Sequence, residues 1–213
     1  MPNVPTLVER RRDGRVLPVF LVVVIVLVVI GAVAFGSYNG LVSRHENVAA
    51  KWSEIDNQYK RRNDLVPNLV ATVQGAANFE KSTLTAVTEA RASVGRVQLP
   101  KEIPTDEKQL SAYIAAQQGL GSALGRLMVV AENYPDLKAS QGFRDLQVQL
   151  EGTENRIAVA RTDYIEAVRD YNASIQKVPG NLLAGFGGFK PAAQLTIPEA
   201  ERAVPKVDFG GGK

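Results

Sequence analysis

The chain has 213 residues, a net charge of +3, one histidine and no cysteine. The lack of cysteine excludes a disulfide framework, a thiol nucleophile and any cysteine-based metal site. A single histidine, His45, excludes a zinc motif with two histidines and a di-iron bundle, which needs two Glu-x-x-His elements. The small, evenly spread charge indicates no nucleic-acid-binding surface. We therefore expect no cofactor and no nucleic-acid partner.

An apolar run of 20 residues extends from Val16 to Phe35. Four arginines precede it: Arg10, Arg11, Arg12 and Arg15. A helix of about 20 apolar residues matches the ~30 Å hydrocarbon core of a bilayer. The run therefore predicts a transmembrane helix over residues 16–36, behind a short basic segment over residues 1–15. The arginines favour a cytoplasmic N-terminus, with the remaining chain on the outer face of the membrane.

A cleaved signal peptide is the alternative interpretation of the same run. Leu17 to Ile30 has the composition of an h-region, and Ala32-Val33-Ala34 fits a small-x-small cleavage site. The length of the apolar run favours a retained membrane helix. Both interpretations stay open at this point.

Residues 37–178 show helical spacing of apolar side chains, and no strand pattern competes with it. Four stripes recur: Leu41, Val48, Trp52, Ile55 and Tyr59; then Leu69, Val73, Ala76, Leu84, Val87 and Val94; then Leu110, Ile114, Leu120, Leu124, Leu127 and Ala131; then Phe143, Leu146, Leu150, Ile157, Ala160, Tyr164, Val168, Tyr171 and Ile175. The sequence thus predicts an all-α fold, a single N-terminal transmembrane helix followed by an elongated antiparallel up-down-up-down four-helix bundle. Spacings of three and four indicate knobs-into-holes packing of the coiled-coil type.

Polar residues and prolines predict where the helices begin and end. Asp64 is a candidate N-cap with Pro67 in the first turn, so we expect the first helix to end near Asn63. Thr105-Asp106-Glu107-Lys108 predicts the start of the third helix, with acidic residues at its positive end. Tyr134-Pro135 predicts the end of that helix.

The tail over residues 179–213 is rich in glycine and proline, and we expect it to be largely irregular and to bury little. Leu182, Leu183, Phe186 and Phe189 make its first part more apolar than a linker requires. An up-down-up-down path returns the fourth helix to the membrane side. The four side chains are therefore predicted to lie at the membrane interface, with coverage of the bundle end as the alternative.

Lys60, Arg61 and Arg62 form the only basic run of the predicted bundle. A continuous helix would hold Lys60 about 36 Å from the bilayer, far beyond the ~8 Å Debye length, so contact with the same membrane is not expected. One interpretation is intramolecular pairing, with Asp64 and Glu132 as candidate partners. The others are a partner-binding patch and tethering of a distant membrane.

The fourth helix carries a charged face that is typical of solvated helix surfaces: Glu151, Glu154, Arg156, Arg161 and Asp163. Thr153 lies near the apolar stripe, so a buried pair between Glu154 and an arginine is a further interpretation. No nucleophile motif, phosphate-binding loop or ligand cluster accompanies these carboxylates. We therefore predict no catalytic site.

Several segments resemble the LemA family, in order and with short gaps between about residues 38 and 189. They are Tyr38-Asn39-Gly40-Leu41-Val42, Trp52-Ser53-Glu54-Ile55-Asp56, Lys60-Arg61-Arg62-Asn63-Asp64-Leu65-Val66-Pro67-Asn68-Leu69-Val70, Tyr134-Pro135-Asp136-Leu137-Lys138-Ala139, Thr153-Glu154-Asn155-Arg156-Ile157 and Ala160-Arg161. One departure is Phe79-Glu80, where relatives often have His-Glu. The resemblance implies a bacterial protein with an N-terminal transmembrane helix, an elongated helical bundle and no known enzymatic activity. Family descriptions place the short N-terminus outside the cell, against the charge argument, so the topology stays open.

The favoured function is a non-enzymatic interaction or scaffold module at the bacterial envelope. Its partners would be the lipid bilayer, through the N-terminal helix, and proteins that the sequence does not identify. A relative that acts in magnetosome membrane biogenesis suggests the alternative, a homo-oligomeric component that organises or remodels membranes. A signal sensor is the third class, although 15 residues leave little room for a cytoplasmic output.

Overall fold

The computed structural model describes residues 16–76, 79–97 and 102–195. Regular structure in those residues is entirely helical, which confirms the all-α class. The elements in chain order are α1 Val16–Gln74, α2 Lys81–Arg96, α3 Glu107–Ala131, α4 Pro135–Ala139, α5 Gln141–Gln176 and α6 Gly180–Gly187. The basic segment over residues 1–15 and the last part of the tail, residues 196–213, lie outside the described residues.

Helix α1 is a single helix of 59 residues that joins the apolar run to the folded core. The predicted end of the first helix near Asn63 is wrong, because Pro67 lies inside α1. Proline has no N–H to donate to the carbonyl four residues earlier, which here is that of Asn63. The Nε atom of Arg91 on α2 donates to this carbonyl oxygen instead, at 3.2 Å. Val66 and Leu69, both buried, anchor the helix on either side of the proline.

The apolar part of α1 is long enough and apolar enough to cross a membrane. Its side chains make no core of their own, since those from Val19 to Ile30 are exposed in the isolated chain. Burial begins only at Leu41, which is 2% exposed. Helix α1 therefore divides into an outward-facing apolar part and a part that packs against other helices.

The closest backbone packing pairs α1 with α5 and α2 with α3. Lys51 on α1 bonds Asp163 on α5 at 2.6 Å, and Arg62 further along α1 bonds Glu154 at 2.9 Å. The numbers rise on one helix as they fall on the other, so α5 runs antiparallel to α1. Helix α3 follows the same direction as α1, because Tyr113 contacts Trp52 and Tyr59 whereas the later Gln117 contacts Arg62.

Aromatic side chains fill the space between these helix pairs. Trp52 lies 6.2 Å from Tyr113 and 5.7 Å from Tyr164, measured between ring centroids, and Tyr59 lies 5.7 Å from Tyr113. The hydroxyl of Tyr113 donates to Asp56 Oδ1 at 3.2 Å. Edge-to-face pairs of this kind stabilise a core beyond the area that they bury. The layer joins α1, α3 and α5.

The predicted apolar stripes form the core, as their helical spacing indicated. Every residue of the four stripes is buried except Ala76 and Leu146, which are partly buried. The continuity of α1 changes only the assignment of the second stripe. Leu69 and Val73 belong to α1, whereas Leu84, Val87 and Val94 belong to α2. The predicted start of α3 is confirmed, because the Asp106 side chain accepts from two backbone N–H groups of the first turn.

The tail is ordered and packed as far as Leu195, so the expectation that it buries little is wrong for this part. Glycine at two positions explains the difference. A Cβ at Gly180 would lie 2.1 Å from the Ser174 carbonyl oxygen, so only glycine allows α6 to begin so close to the end of α5. Gly188 ends α6 with a φ of 70°, a conformation that glycine adopts readily. The following residues, 189–195, lie along α5 and are called the strap below.

Candidate functional site

The three residues of the basic run do not share one surface. Lys60 and Arg61 are exposed, whereas Arg62 is 3% exposed. Consecutive residues of a helix point about 100° apart, so a run of three cannot form one patch on a helix that is buried along one side. Arg62 is therefore not part of an exposed basic patch, and the partner-binding prediction now concerns Lys60 and Arg61.

Arg62 joins α1, α3 and α5 through its guanidinium group. Its Nη1 atom donates to both carboxylate oxygens of Glu154, at 2.9 and 3.2 Å. Its Nη2 atom donates to the backbone oxygen of Gln117 at 2.7 Å and to Oε1 of the same residue at 2.6 Å. The guanidinium carbon lies 5.2 Å from the centre of the Tyr59 ring, within range of a cation–π contact. We call Arg62, Gln117 and Glu154 the Arg62 cluster.

The pairing predicted for the basic run is correct in kind and wrong in its partner for Arg62. Glu132 forms its ion pair with Lys138. It follows Gln117 by 15 residues, or roughly 22 Å along a helix, so the Arg62 side chain does not reach it. The suggested buried pair between Glu154 and an arginine does exist, and Arg62 is the arginine.

A cavity of about 220 Å³ adjoins the Arg62 cluster. It is lined by Tyr59, Arg62, Gln117, Gln118, Gly121, Ser122, Glu154, Ile157 and Arg161. Two buried donors at this position, Arg62 Nε and Gln117 Nε2, have no hydrogen-bond partner among the described residues. A Cβ at Gly121 would lie 3.2 Å from Arg62 Nη1, so the missing side chain leaves this face of the guanidinium open.

Sequence reasoning missed Gln117 and Gly121. The available signal was weak: Gln117 falls between Ile114 and Leu120 on the third apolar stripe, where a polar residue is unexpected. A buried glutamine needs hydrogen-bond partners. Only the register between α1 and α3 could identify Arg62 as the partner.

The predicted membrane-interface residues lie on and just after α6, near the first residues of α1 beyond the apolar run. Leu182 is 62% exposed and Phe186 is 93% exposed, one helical turn apart, whereas Leu183 is partly buried. The ring of Phe189, also partly buried, lies 5.8 Å from that of Tyr38. Two of the four residues thus point outward, and two hold this segment against the helices.

His45 lies half-buried between two aromatic rings. Its ring centroid is 5.7 Å from that of Tyr171 and 5.6 Å from that of Phe189. Its Nδ1 atom lies 3.6 Å from a carboxylate oxygen of Glu46. These contacts connect α1 with α5 and with the start of the strap, which is a structural role for the one histidine of the chain.

Three side chains of α5 hold the strap by its backbone. Asn172 donates to the Ala192 carbonyl oxygen and accepts from the Ala192 N–H, both at 2.9 Å. The hydroxyls of Tyr164 and Tyr171 donate to strap carbonyl oxygens at 3.0 and 2.9 Å. Burial raises the pKa of Tyr164 and of Tyr171. These tyrosines therefore stay protonated, and remain donors, at neutral pH.

The described residues provide geometry for holding and recognition rather than for acid–base chemistry. Among them, no three His, Cys, Asp or Glu side chains converge as a metal site would require. The pKa of Tyr113 is also raised, by burial first and then by the Asp56 charge. None of the three tyrosine shifts yields a group that titrates near neutral pH.

An exposed apolar segment that continues unbroken into a buried helical core defines a membrane-associated helical protein. Residues 51–209 match the sequence profile of the LemA family, and the chain belongs to that family. The chain is 32% identical to magnetosome protein MamQ 2 of Paramagnetospirillum magneticum, with 85% of this chain and 74% of that protein covered. It is 29% identical to MamQ of Magnetospirillum gryphiswaldense (72% and 62%) and 25% identical to protein LemA of Metamycoplasma hominis (94% and 89%).

Proposed function

We propose that this LemA-family chain is a single-pass membrane protein whose extramembrane helices act as a non-enzymatic interaction or scaffold module at the bacterial envelope. One observation carries the proposal: α1 runs from the apolar run to the far end of the core as a single helix. A module connected in this way is presented at a fixed direction and distance from its anchor.

The helical core is proposed to be an elongated up-down-up-down four-helix bundle of α1, α2, α3 and α5. Support comes from the antiparallel contacts of α1 with α5 and from the close packing of α2 on α3. The same arrangement returns the end of α5 to the membrane side, which agrees with the contact between Phe189 and Tyr38.

The bundle is proposed to lie on the outer face of the membrane. The support is the excess of arginines before the apolar run. Reporters that are active only in the periplasm or only in the cytoplasm, fused after Lys213, test this orientation. We expect activity of the periplasmic reporter alone. Activity of the cytoplasmic reporter alone would reverse the orientation, and a mature chain that starts at Phe35 would instead support a cleaved signal peptide.

Helix α6 is proposed to be a second membrane contact, with Leu182 and Phe186 in the headgroup region. Tyr38 follows the apolar run by about 4 Å of helix rise, and Phe189 packs against it. Aromatic side chains are favoured at this depth. Leu183 would hold α6 against the bundle.

A fluorescent probe at Phe186 in liposomes, compared with a probe at Lys60, tests this contact through quenching by lipid-borne agents. We expect stronger quenching at Phe186. Equal quenching at the two positions would leave α6 as a cover of the bundle end only.

Lys60 and Arg61 are proposed as a contact surface for an acidic protein partner. Both are exposed on α1, far from the membrane. Charge reversal, Lys60→Glu with Arg61→Glu, is expected to abolish crosslinks that form in cells at this surface. The exposed Lys108 on α3, changed to glutamate, is the control. Retention of the same crosslinks after charge reversal would remove this surface from the proposal.

Self-association is the second candidate function. Val148 and Val159 on α5 are 68% and 63% exposed and lie about three turns apart, on one face of the helix. Two exposed valines on one face favour contact with another apolar surface. The mass of the detergent-solubilised protein separates the two functions. A monomer supports the scaffold module, whereas an oligomer that dissociates on Val159→Asp supports self-association.

A further inference from the structure

The cavity beside the Arg62 cluster has an unusual lining. Arg62 and Gln117 are 3% and 1% exposed, yet each keeps one nitrogen without a hydrogen-bond partner among the described residues. Buried polar groups in folded proteins are nearly always bonded. Both residues line the 220 Å³ cavity, which is large enough for a group of several heavy atoms.

The unpartnered atoms determine what the cavity would bind. Arg62 Nε and Gln117 Nε2 are both donors, since guanidinium and amide nitrogens carry hydrogens and accept none. An occupant must therefore present hydrogen-bond acceptors. The two donor groups adjoin each other, because Gln117 Oε1 is 2.6 Å from Arg62 Nη2. An occupant with two acceptors on one atom could serve both.

The charges of the lining point to an anion. Arg62 on α1 and Arg161 on α5 line the cavity, and Glu154 is the single acidic residue that does so. The lining charges sum to one excess positive charge. The third helix, α3, contributes only neutral groups. A site of this kind favours a negatively charged acceptor, and hydrogen bonds between ionised partners are the stronger ones.

We propose that the Arg62 cavity binds a small carboxylate, whose two oxygens accept from Arg62 Nε and Gln117 Nε2. Gly121 provides the space, because its missing side chain leaves the guanidinium uncovered. This binding site is separate from the proposed scaffold function and does not depend on membrane orientation.

Ligand-observed saturation-transfer NMR on the full chain in detergent tests the proposal, with acetate as the probe and acetamide as its neutral isostere. We expect transfer to acetate and much weaker transfer to acetamide. Gly121→Ala narrows the cavity, and Gln117→Glu places an acceptor and a negative charge in it. Both are expected to weaken acetate binding by about tenfold or more.

Gly125→Ala is the matched control, because it lies one turn along α3 and its added Cβ would meet nothing within 4 Å. It is expected to bind acetate as the wild type does. Thermal unfolding of each variant verifies that the fold is intact. Absent transfer to acetate in the wild type, equal transfer to acetamide, or unchanged binding in a folded Gly121→Ala variant would each overturn the proposal and leave a cavity that holds water only. The reporter fusions that test the membrane topology would be unaffected.

Discussion

Arg91 donates from Nε to the carbonyl oxygen of Asn63 at 3.2 Å, and that carbonyl is the one that Pro67 leaves without a helical donor. A side chain of α2 thus replaces a backbone hydrogen bond of α1. The contact joins the two helices at the position where α1 would otherwise be weakest.

Arg91→Ala removes this donor and is expected to lower the free energy of unfolding by about 0.5–1.5 kcal/mol, the usual contribution of one hydrogen bond. Chemical denaturation of the detergent-solubilised chain, followed by circular dichroism, measures the change. Arg96→Ala is the control, since Arg96 bonds only Ser93 of its own helix and is exposed. We expect its effect to stay below about 0.5 kcal/mol.

The same substitution has a second control in α1. Pro67→Ala restores the N–H that Asn63 lacks, so Arg91→Ala should cost less when both changes are combined. Equal costs of Arg91→Ala in the two backgrounds would contradict the replacement of the backbone bond.

Ile157→Ala is expected to destabilise the fold by about 2–5 kcal/mol, because Ile157 is 4% exposed at the centre of α5. Val159→Ala on the same helix removes a side chain that is 63% exposed. Its effect should stay below about 0.5 kcal/mol. Denaturation midpoints of the two variants provide the comparison, and similar losses would contradict the assigned face of α5.

Glu154→Ala is expected to cost about 1–3 kcal/mol, because it leaves the buried Arg62 guanidinium without its carboxylate. Glu154 is itself 42% exposed, so water moderates the loss. Glu151→Ala, at an exposed position on the same helix, is the control. Adding Arg62→Met to Glu154→Ala should recover part of the loss. A double variant that is less stable than the sum of the single variants would argue against the pair.

Asn172→Ala removes both hydrogen bonds to Ala192 and should release the strap locally. Hydrogen exchange of the Ala192 and Ala193 amides is the measurement. We expect exchange to accelerate by about tenfold or more, corresponding to one lost hydrogen bond. Asn155→Ala, exposed on the same helix, should leave both amides unchanged. Uniform acceleration over the whole chain would indicate global destabilisation instead.

Alkaline pH is expected to destabilise the fold through Tyr164. Burial raises its pKa, so the folded state holds the proton more tightly than the unfolded state, where the pKa is about 10. The contribution to stability is complete below about pH 10 and is lost as the pH rises toward the folded pKa. In Tyr164→Phe the fall in unfolding free energy above pH 10 should be shallower by up to about 1.4 kcal/mol per pH unit. An unchanged slope would contradict the burial of this hydroxyl.

The helices and their buried faces could be predicted because spacings of three and four report one side of a helix directly. The break near Asn63 was predicted wrongly, because the compensation for Pro67 comes from Arg91, 28 residues later, and local sequence carries no sign of it. Likewise, glycine at 180 and 188 reads as a sign of irregular chain. In the structure the same residues allow α6 to begin and end.

The candidate site was predictable only in part. Glu154 was a candidate for a buried pair because it adjoins the core stripe, but the choice of Arg62 depends on the register between α1 and α5. Loop lengths and core packing determine that register, and no local pattern encodes it. The cavity escaped prediction for the same reason, since its donors come from α1 and α3.

The unbroken course of α1 has a mechanical consequence. From the end of the apolar run to Gln74, the helix extends for about 57 Å at 1.5 Å per residue. With its apolar part in a bilayer, α1 is a lever arm pivoted at the membrane surface, and a tilt of about 10° displaces its far end sideways by about 10 Å. Bilayer thickness, which changes helix tilt, would therefore set where the far end reaches.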